Sequence, residues 1–399
     1  MNLLVALEHR FEGTPDGAVW TQTAFDSEFW SPYLEVFERV CVVARVRPVH
    51  AALSGWKRVD GQEVSFVPVP YYLGPWQYLQ RARQVRRVTR SAVGPADAVI
   101  LRVASHIAAC VLSLLHGTNR PYGLEVVGDP HDVFAPGVIT HPLRPLLRWW
   151  FPRQLRRQCA QAQAIAYVTE QALQRRYPAA PGTFSTFYSD VQLPDIAFVT
   201  IVRSTPQGAR PHTLIMVGSL AQLYKAPDVL IDAVAACVRG GLALQLVIVG
   251  DGKYRPELQA RVAALGLADR VRFLGQLPAG EAVRAQLDQA DLFVLPSRTE
   301  GLPRALIEAM ARGLPCIGSA VGGIPELLAS EDLVQPDDTA ALVAKIREVV
   351  NDPQRLLQMA ARNLAKAREY HEGALRQRRR AFYQYIREKT EEWLRTQKR

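Results

Sequence analysis

The sequence predicts an α/β fold with two doubly wound parallel sheets that face each other across a cleft. Short, continuously apolar runs alternate with helical segments along most of the chain, as expected for strands buried on both faces of a parallel sheet. Residues 203–211 are polar and irregular, which is the composition of a linker between two such sheets. The length of 399 residues, with 48% hydrophobic and 22% charged residues, allows about two to three globular domains.

The N-terminal half, residues 1–200, is predicted to form one domain. Its strand candidates are residues 3–7, 39–44, 98–101, 123–127 and 164–168. The chain ends in a charged amphipathic segment over about 376–399, for which the pattern predicts a helix.

The C-terminal half alternates more regularly, and we expect a linker over 201–211 and a second domain over 212–375. The predicted strands are residues 213–217, 244–249, 271–274, 291–295 and 315–318, and the predicted helices are 227–238, 255–265, 280–289 and 305–311. Ligands of such sheets bind at the carboxyl ends of the strands, so the loops that follow these strands are the predicted binding surface.

Composition limits the compartment and excludes several kinds of site. No apolar run reaches the ~18–20 residues of a membrane-spanning helix, and residues 1–7 are short enough to be a first strand. The five cysteines are scattered singly, which predicts buried thiols in a reducing cytoplasm rather than disulfides or zinc.

The net charge of +10 favours anionic partners, and the basic residues cluster in residues 80–102 and 141–157. The second cluster combines five arginines with Trp149, Trp150 and Phe151, which is the composition of a helix that lies at a membrane interface. The alternative is a helix that packs its tryptophans inward and leaves its arginines in water. Nucleic acid is not an expected partner, because no recognisable binding module accompanies the basic residues.

Two acidic residues follow the predicted strand 291–295. Glu300 lies in the strand-to-helix loop, and Glu308 lies eight residues later on a helix that is apolar nearly all round. A carboxylate on a buried helix is costly unless something pairs with it. Glu300 could cap the helix and Glu308 could pair with a buried arginine, or both could bind a polyhydroxylated ligand.

The Glu-x7-Glu spacing, continuing into EAMARGLP and then GGIPELL, resembles the family-4 retaining glycosyltransferases of the GT-B fold, which have two Rossmann-like domains. The resemblance implies that Glu300 lies beside the donor sugar and that Glu308 holds the ribose hydroxyls of a nucleotide-sugar. It also implies that the final helix crosses back to the first domain, the alternative being a solvated terminal helix.

The loop after residues 213–217 is a candidate diphosphate site. Gly218 permits a tight turn, and Lys225 precedes a helix N-terminus, where a cation and unpaired amides suit phosphate. The family usually has an arginine where Ser219 stands and a glycine where Ala226 stands. Arg304 is our candidate for the missing charge, the alternative being an ordinary helix-surface arginine.

Further donor contacts are expected from the other strand ends. The resemblance covers about residues 213–328 and assigns backbone contacts to Gly250, Gln276, Leu277, Gly301 and Leu302. Gln276 and Leu277 stand where the family contacts the nucleobase, and Gly301 and Leu302 offer amides at a helix start. Taken alone, the Gly-Asp-Gly at 250–252 is equally consistent with a simple turn.

The N-terminal half matches more loosely. Gly17 stands where the family keeps a glycine-rich loop, and Asp16 beside it either holds an acceptor hydroxyl or starts the turn. His131 resembles the family's histidine that faces the donor sugar, and it is the second predicted catalytic residue, the alternative being a turn histidine without a chemical role. His106 is a weaker acceptor-side candidate.

The expected activity is therefore a retaining glycosyltransferase that uses a UDP- or GDP-sugar and a glycan or lipid-linked acceptor, in cell-surface polysaccharide synthesis. No Asp-x-Asp motif and no zinc-spaced histidines occur, so we expect neither metal nor cofactor. A cytoplasmic protein, peripheral at an anionic inner membrane face, fits this activity. The alternatives are a nucleotide-sugar epimerase of the same fold and a non-catalytic nucleotide-sugar or membrane-binding module.

Overall fold

The computed structural model describes residues 1–23, 25–135, 141–202 and 210–397. The N-terminal strands are β1 (Asn2–Gly13), β2 (Val19–Thr21), β3 (Arg39–Pro48), β4 (Lys57–Arg58), β5 (Val64–Val69), β6 (Ala98–Val103), β7 (Gly123–Val126), β8 (Ala164–Tyr167) and β9 (Phe184–Phe187). The helices between them are α1 (Ser27–Leu34), α2 (Gly74–Ala92), α3 (His106–Leu115), α4 (Pro130–Val133), α5 (Arg144–Gln161) and α6 (Ala172–Arg176).

The second half repeats the alternation. Its strands are β10 (His212–Val217), β11 (Leu244–Val249), β12 (Val271–Gly275), β13 (Leu292–Leu295), β14 (Cys316–Ser319) and β15 (Leu333–Val334). Its helices are α7 (Pro227–Arg239), α8 (Arg255–Ala264), α9 (Glu281–Leu287), α10 (Arg304–Ala311), α11 (Ile324–Leu327), α12 (Thr339–Val350), α13 (Pro353–Ala367) and α14 (Glu372–Gln397).

The C-terminal sheet is parallel throughout, with strand order β12-β11-β10-β13-β14-β15. The winding direction reverses between β10 and β13, and a crevice opens at the carboxyl ends of strands at such a switch point. The central strands are fully buried, as their continuous apolar runs predict. Strand β15 was not predicted, because its two residues are too few to form a recognisable apolar run.

The N-terminal sheet has the parallel order β5-β3-β1-β6-β7-β8-β9. Strand β1 pairs with β6 only over Leu3–Ala6, and after a register shift it continues beside β3 as far as Gly13. There it turns back into β2, which pairs antiparallel with it. The first strand is thus longer than predicted, because residues 8–13 are mostly half-buried, with Phe11 alone fully buried among them, and so form no continuous apolar run. Strands β2, β4, β5 and β9 were not predicted.

Helix α14 packs against β6, β8 and β9 and against α1, so the last helix of the chain covers the N-terminal sheet. Its Tyr383 donates a hydrogen bond of 3.2 Å to the buried Glu125 of β7, which also accepts hydrogen bonds from Tyr33 and Arg102. The alternative of a solvated terminal helix is therefore wrong. The predicted linker over 201–211 lies largely outside the described residues.

Two further findings concern composition. Within the described ranges, no helix has both the length and the hydropathy needed to cross a bilayer. The five cysteines are all free thiols.

Candidate active site

The carboxylate of Glu300 is held at the switch point of the C-terminal sheet. It follows β13, and its Oε1 accepts hydrogen bonds of 2.6 Å from Lys225 Nζ and 2.6 Å from Ser297 Oγ. Both members of the ion pair are buried, with 9% and 8% exposure for Glu300 and Lys225. Helix α10 begins after Pro303 without a side-chain cap, so Glu300 does not cap it.

Lys225 ends a single 3-10 turn, Leu223–Lys225, that precedes α7. The next residue, Ala226, has φ +51° and ψ +48°, the left-handed conformation in which glycine is favoured. The alanine thus adopts the backbone that the usual glycine would supply, and the turn keeps its shape at a steric cost of roughly 1 kcal/mol.

Arg298 holds the lysine turn in place, and sequence reasoning gave it no role. Its guanidinium donates to the Leu223 carbonyl at 2.6 Å and to both carboxylate oxygens of Asp228 at 3.0 and 2.7 Å. Its backbone N–H donates a hydrogen bond of 2.7 Å to the Tyr224 carbonyl. A bidentate arginine of this kind is rigid, so Arg298 positions Lys225 against Glu300. The sequence feature that could have indicated this role is the position of Arg298, two residues before Glu300 in the loop after β13.

The glycines of the neighbouring loops let two backbones pack directly against each other. A Cβ atom at Gly218 would lie 3.2 Å from Cγ of Lys225, so the lysine stem lies along this residue. Gly250 has φ +139°, and a Cβ atom there would lie 1.9 Å from the Gly218 carbonyl oxygen. Only glycine fits at 250, because of this close approach between the loops after β10 and β11.

Glu308 lies on α10, partly buried, and makes no hydrogen bond or ion pair with any described residue. Burial raises the pKa of the Glu308 carboxyl, and the charges of Arg304 and Arg284 oppose that rise. The alternative in which Glu308 pairs with a buried arginine is therefore wrong. An unpartnered carboxylate of this kind is available to accept hydrogen bonds from ligand hydroxyls.

Arg304 is exposed at the start of α10 and has no ion-pair partner among the described residues. Its positive charge lowers the pKa of Glu308, one turn along α10, and of Asp190 in the N-terminal half. Its guanidinium is therefore exposed to an anionic ligand at the start of α10. Whether it replaces the missing arginine at 219 stays a prediction.

The opposite wall of the crevice follows β7. Asp129 caps α4 by accepting a hydrogen bond of 2.8 Å from the His131 backbone N–H. His131 Nδ1 lies 2.9 Å from Asp132 Oδ1. Arg176 of α6 pairs with Asp132 at 2.9 Å and also with Asp129. Sequence reasoning missed Arg176, since an arginine near the end of a short helix carries no local signal.

A cleft lies between these two walls. One side is lined by Asp129, Asp132, Thr169, Ala172, Leu173 and Arg176, and the other by Glu300, Gly301 and Gly322. His131 lies beside this cleft through its contact with Asp132, but it is not one of the lining residues. The structure therefore brings Glu300 and the acidic loop that carries His131 to the same cleft.

Glu326 joins the two walls, and sequence reasoning again gave it no role. Its carboxylate accepts hydrogen bonds from the backbone N–H groups of Glu170 at 2.6 Å, Gln171 at 2.9 Å and Ala172. These are amides at the start of α6, which favour a negative charge. Glu326 is the acid of the GGIPELL motif, which was the available signal.

The two glycines of that motif also pack against the Glu300 loop. Gly323 donates a backbone hydrogen bond of 2.7 Å to the Gly301 carbonyl. Gly322 has φ +53°, and a Cβ atom there would lie 2.0 Å from the Glu300 carbonyl oxygen. The motif therefore fixes the backbone on both sides of Glu300.

The remaining donor-side candidates lie on loops of the C-terminal sheet. Ser219 is exposed, and its Oγ accepts a hydrogen bond of 3.2 Å from the Ala221 backbone N–H. Gln276 is exposed and Leu277 half-buried after β12, while Leu302 is buried next to Gly301. Their contacts to a donor stay predictions.

Gly17 and Asp16 form the tip of the β1–β2 hairpin rather than a loop between the first strand and α1. Asp16 Oδ1 accepts hydrogen bonds from Thr14 Oγ1 at 2.5 Å and from the Ala18 backbone N–H at 3.3 Å. The carboxylate is thus engaged within its own turn, which is the simpler of the two predicted roles.

His106 lies at the other switch point, where the N-terminal sheet reverses between β1 and β6. Its ring stacks on Tyr78 at 4.8 Å and meets Phe151 edge-on at 5.2 Å, and burial lowers its pKa. Its backbone N–H donates a hydrogen bond of 2.9 Å to the Glu8 carboxylate. Glu8 in turn forms an ion pair of 3.1 Å with Arg45. Glu8 was not predicted as a site residue, although it directly follows the apolar run of β1.

Among the described residues, no group of three or more His, Cys, Asp or Glu side chains converges as metal ligands would. The region offers a ligand the buried Lys225–Glu300 ion pair and the amides of helix starts, and on α10 the Glu308 carboxylate and the Arg304 guanidinium, which have no partner among the described residues.

Comparison with known proteins shows what the chain resembles. Residues 211–352 match the family model "Glycosyl transferases group 1". Protein CapJ of Staphylococcus aureus is 25% identical over 328 residues, which are 82% of this chain and 80% of CapJ. The putative colanic acid biosynthesis glycosyltransferase WcaL of Salmonella typhimurium is 36% identical over 155 residues, which cover 37% of this chain and 38% of WcaL.

Among solved structures, Anabaena Alr3699/HepE in complex with UDP and glucose superposes with a TM-score of 0.62 at 18% identity, covering 99% of this chain and 100% of HepE. The predicted GT-B fold is thereby confirmed. The matched residues 211–352 contain strands β10–β15 of the C-terminal sheet.

Proposed function

We propose that this chain, which is a glycosyltransferase, moves a sugar from a UDP- or GDP-sugar to a hydroxyl of a glycan or lipid-linked acceptor. The observation that carries the proposal is the buried Lys225–Glu300 ion pair, set at the switch point of the C-terminal sheet and facing the acidic loop of the N-terminal half. Parallel sheets bind nucleotides at this position.

Two of the proposed contacts use groups without a partner among the described residues, whereas Lys225 would exchange Glu300 for the donor. Lys225 and the helix-start amides of α7 and α10 would hold the donor diphosphate. Glu308 would accept hydrogen bonds from the ribose hydroxyls, because its carboxylate has no partner among the described residues. Arg304 would add the second positive charge that Ser219 does not supply.

Glu300 would lie beside the donor sugar and stabilise the positive charge that develops at its ring. His131, oriented by Asp132, would hydrogen-bond a hydroxyl of the sugar or of the acceptor. We propose retention at the anomeric carbon, in which case the leaving phosphate can take the acceptor proton and no protein base is required.

We also propose that transfer needs no metal, since fixed positive groups would stabilise the leaving diphosphate. Activity should therefore survive EDTA. Activity that EDTA abolishes and magnesium restores would contradict this part of the proposal and leave the rest standing.

The relatives support the biological setting. WcaL is named for colanic acid biosynthesis, and HepE was solved with UDP and glucose. Cell-surface polysaccharide synthesis with a UDP-sugar is the corresponding proposal here. These names favour transfer over the epimerase and the non-catalytic module. The free cysteines fit a cytoplasmic location.

The test is a panel of nucleotide-sugars, first by thermal shift and then by turnover with and without an acceptor. We expect one donor to stabilise the protein and to be consumed faster when a glycan or lipid-linked acceptor is added. Sugar conversion without an acceptor would support the epimerase instead, and binding without turnover would support the module.

A further inference from the structure

Helices α2 and α5 together carry a positive charge equal to the net charge of the whole chain. Each helix has five arginines and no acidic residue, and the net charge of the protein is +10. The arginines are Arg81, Arg83, Arg86, Arg87 and Arg90 on α2, and Arg144, Arg148, Arg153, Arg156 and Arg157 on α5.

These arginines also lack ion-pair partners among the described residues. None of the ten forms a salt bridge with a residue that the structure describes, whereas Arg298 and Arg312 pair with aspartates. All five on α2 are exposed. A surface of this kind keeps its full attraction for an anionic partner.

The same two helices also expose large apolar side chains to solvent. On α5, Leu146, Trp149 and Trp150 are 54%, 50% and 54% exposed, at the spacing of one helix face. On α2, Trp76 and Leu79 are 69% and 62% exposed, three residues apart. The alternative in which the tryptophans of α5 pack inward is therefore wrong.

The two helices meet around His106. Tyr78 of α2 stacks on the His106 ring, and Phe151 of α5 meets its edge. Both helices follow strands of the parallel sheet, so their N-terminal ends, which carry the exposed apolar residues, lie toward the carboxyl edge of that sheet. A small pocket at this point is lined by His106, Phe151 and Gln154 among others.

We propose that the exposed faces of α2 and α5 form one docking surface for an anionic lipid bilayer. Exposed Trp and Leu beside arginines suit the headgroup region, where apolar rings are buried and guanidinium groups meet lipid phosphates. A soluble polyanion would use the arginines but gain little from the apolar side chains. In the setting of the proposed function, docking brings the His106 pocket to the bilayer, where it can meet a lipid-linked acceptor.

The test uses the full chain and vesicles of phosphatidylglycerol or of phosphatidylcholine, in a flotation assay. We expect flotation with phosphatidylglycerol, weakened by salt, and little with phosphatidylcholine. Arg86→Glu with Arg87→Glu should weaken partitioning on the order of tenfold or more, from about 1 kcal/mol per basic residue. Trp149→Ala with Trp150→Ala should weaken it similarly and remove the blue shift of tryptophan emission.

Matched controls keep the result specific. Arg239→Glu with Arg272→Glu makes the same charge change at exposed arginines of the C-terminal sheet region, and Ile201→Ala removes an apolar side chain that is 80% exposed. Neither control should alter flotation.

Absence of flotation with phosphatidylglycerol would overturn the proposal, as would flotation that both helix variants leave unchanged. Binding that dextran sulfate abolishes and the tryptophan variant does not affect would assign the surface to soluble polyanions instead. Thermal shift with UDP, measured on every variant, separates the two proposals: a retained UDP response with no flotation rejects only the membrane surface.

Discussion

Lys225 Nζ lies 2.6 Å from Glu300 Oε1, and both side chains are almost fully buried. The resemblance assigns these two groups to different parts of one donor, yet here they neutralise each other. A buried ion pair keeps each charge from being left unsatisfied. A donor diphosphate would compete with Glu300 for Lys225. We therefore expect the ion pair to hold both side chains in place until the diphosphate binds Lys225 and releases Glu300.

Glu300→Gln should lower turnover by about two orders of magnitude or more while nucleotide binding persists. Gln preserves the shape of the side chain but removes the negative charge that would stabilise the transition state. UDP affinity should stay the same or increase, because Lys225 loses a competing partner. Turnover of the donor and calorimetric titration with UDP measure the two effects. Ser297→Ala, which removes only a hydrogen bond to Glu300, should cost much less, and wild-type turnover in Glu300→Gln would reject the role.

Lys225→Met should destabilise the fold and weaken UDP binding together. The change leaves the Glu300 carboxylate buried without its cation, which costs about 3–5 kcal/mol when a buried pair is broken. Urea unfolding at pH 7 measures the loss. The double variant Lys225→Met/Glu300→Gln should recover most of the stability without recovering UDP affinity. A double variant as unstable as Lys225→Met alone would show that the ion pair is not the cause.

Glu308→Gln should stabilise the protein at pH 7 and weaken its binding of UDP. Burial raises the pKa of Glu308 above its ordinary value of 4.5, so the folded protein holds this proton more tightly than the unfolded chain does. The free energy of unfolding therefore falls as pH rises from 4.5 through the folded pKa, and Gln removes that loss. Urea unfolding and calorimetry measure both effects. Glu257→Gln, at an exposed position on α8, is the matched control; equal UDP affinity in Glu308→Gln and wild type would exclude the ribose contact.

His9→Gln should flatten the acid dependence of stability. Burial, then the charges of Arg10, Arg45 and Arg102, lower the pKa of His9 from 6.5 to about 4. The unfolded chain binds this proton first, so wild-type stability falls as pH drops from 6.5 to 4 by up to about 3 kcal/mol on account of His9.

Urea unfolding at pH 7, 5 and 4, compared between wild type and variant, isolates that contribution of His9. The exposed His50→Gln serves as control and should follow wild type. A variant whose stability declines with acid as steeply as wild type would contradict the assignment.

The sequence by itself determined the C-terminal sheet to within about one residue at most strand ends. Strand β11, Leu244–Val249, matches its predicted bounds, because a strand buried on both faces must be apolar at every position. The loop that carries Glu300 was predicted for the same reason, since it directly follows such a strand. The hairpin of β1 and β2 was missed because residues 8–13 are mostly half-buried and therefore lack the continuous apolar run that marks a buried strand.

Only the tertiary structure decided which polar groups meet. Lys225 and Glu300 are far apart in sequence, and Glu326 reaches amides of the other half of the chain. No local pattern encodes such partners, because the choice depends on which loops the strand order brings to one edge. The exposure of Trp149 was decided in the same way: apolar and basic residues on one helix fit either a buried or a lipid-facing ring, and packing alone distinguishes them.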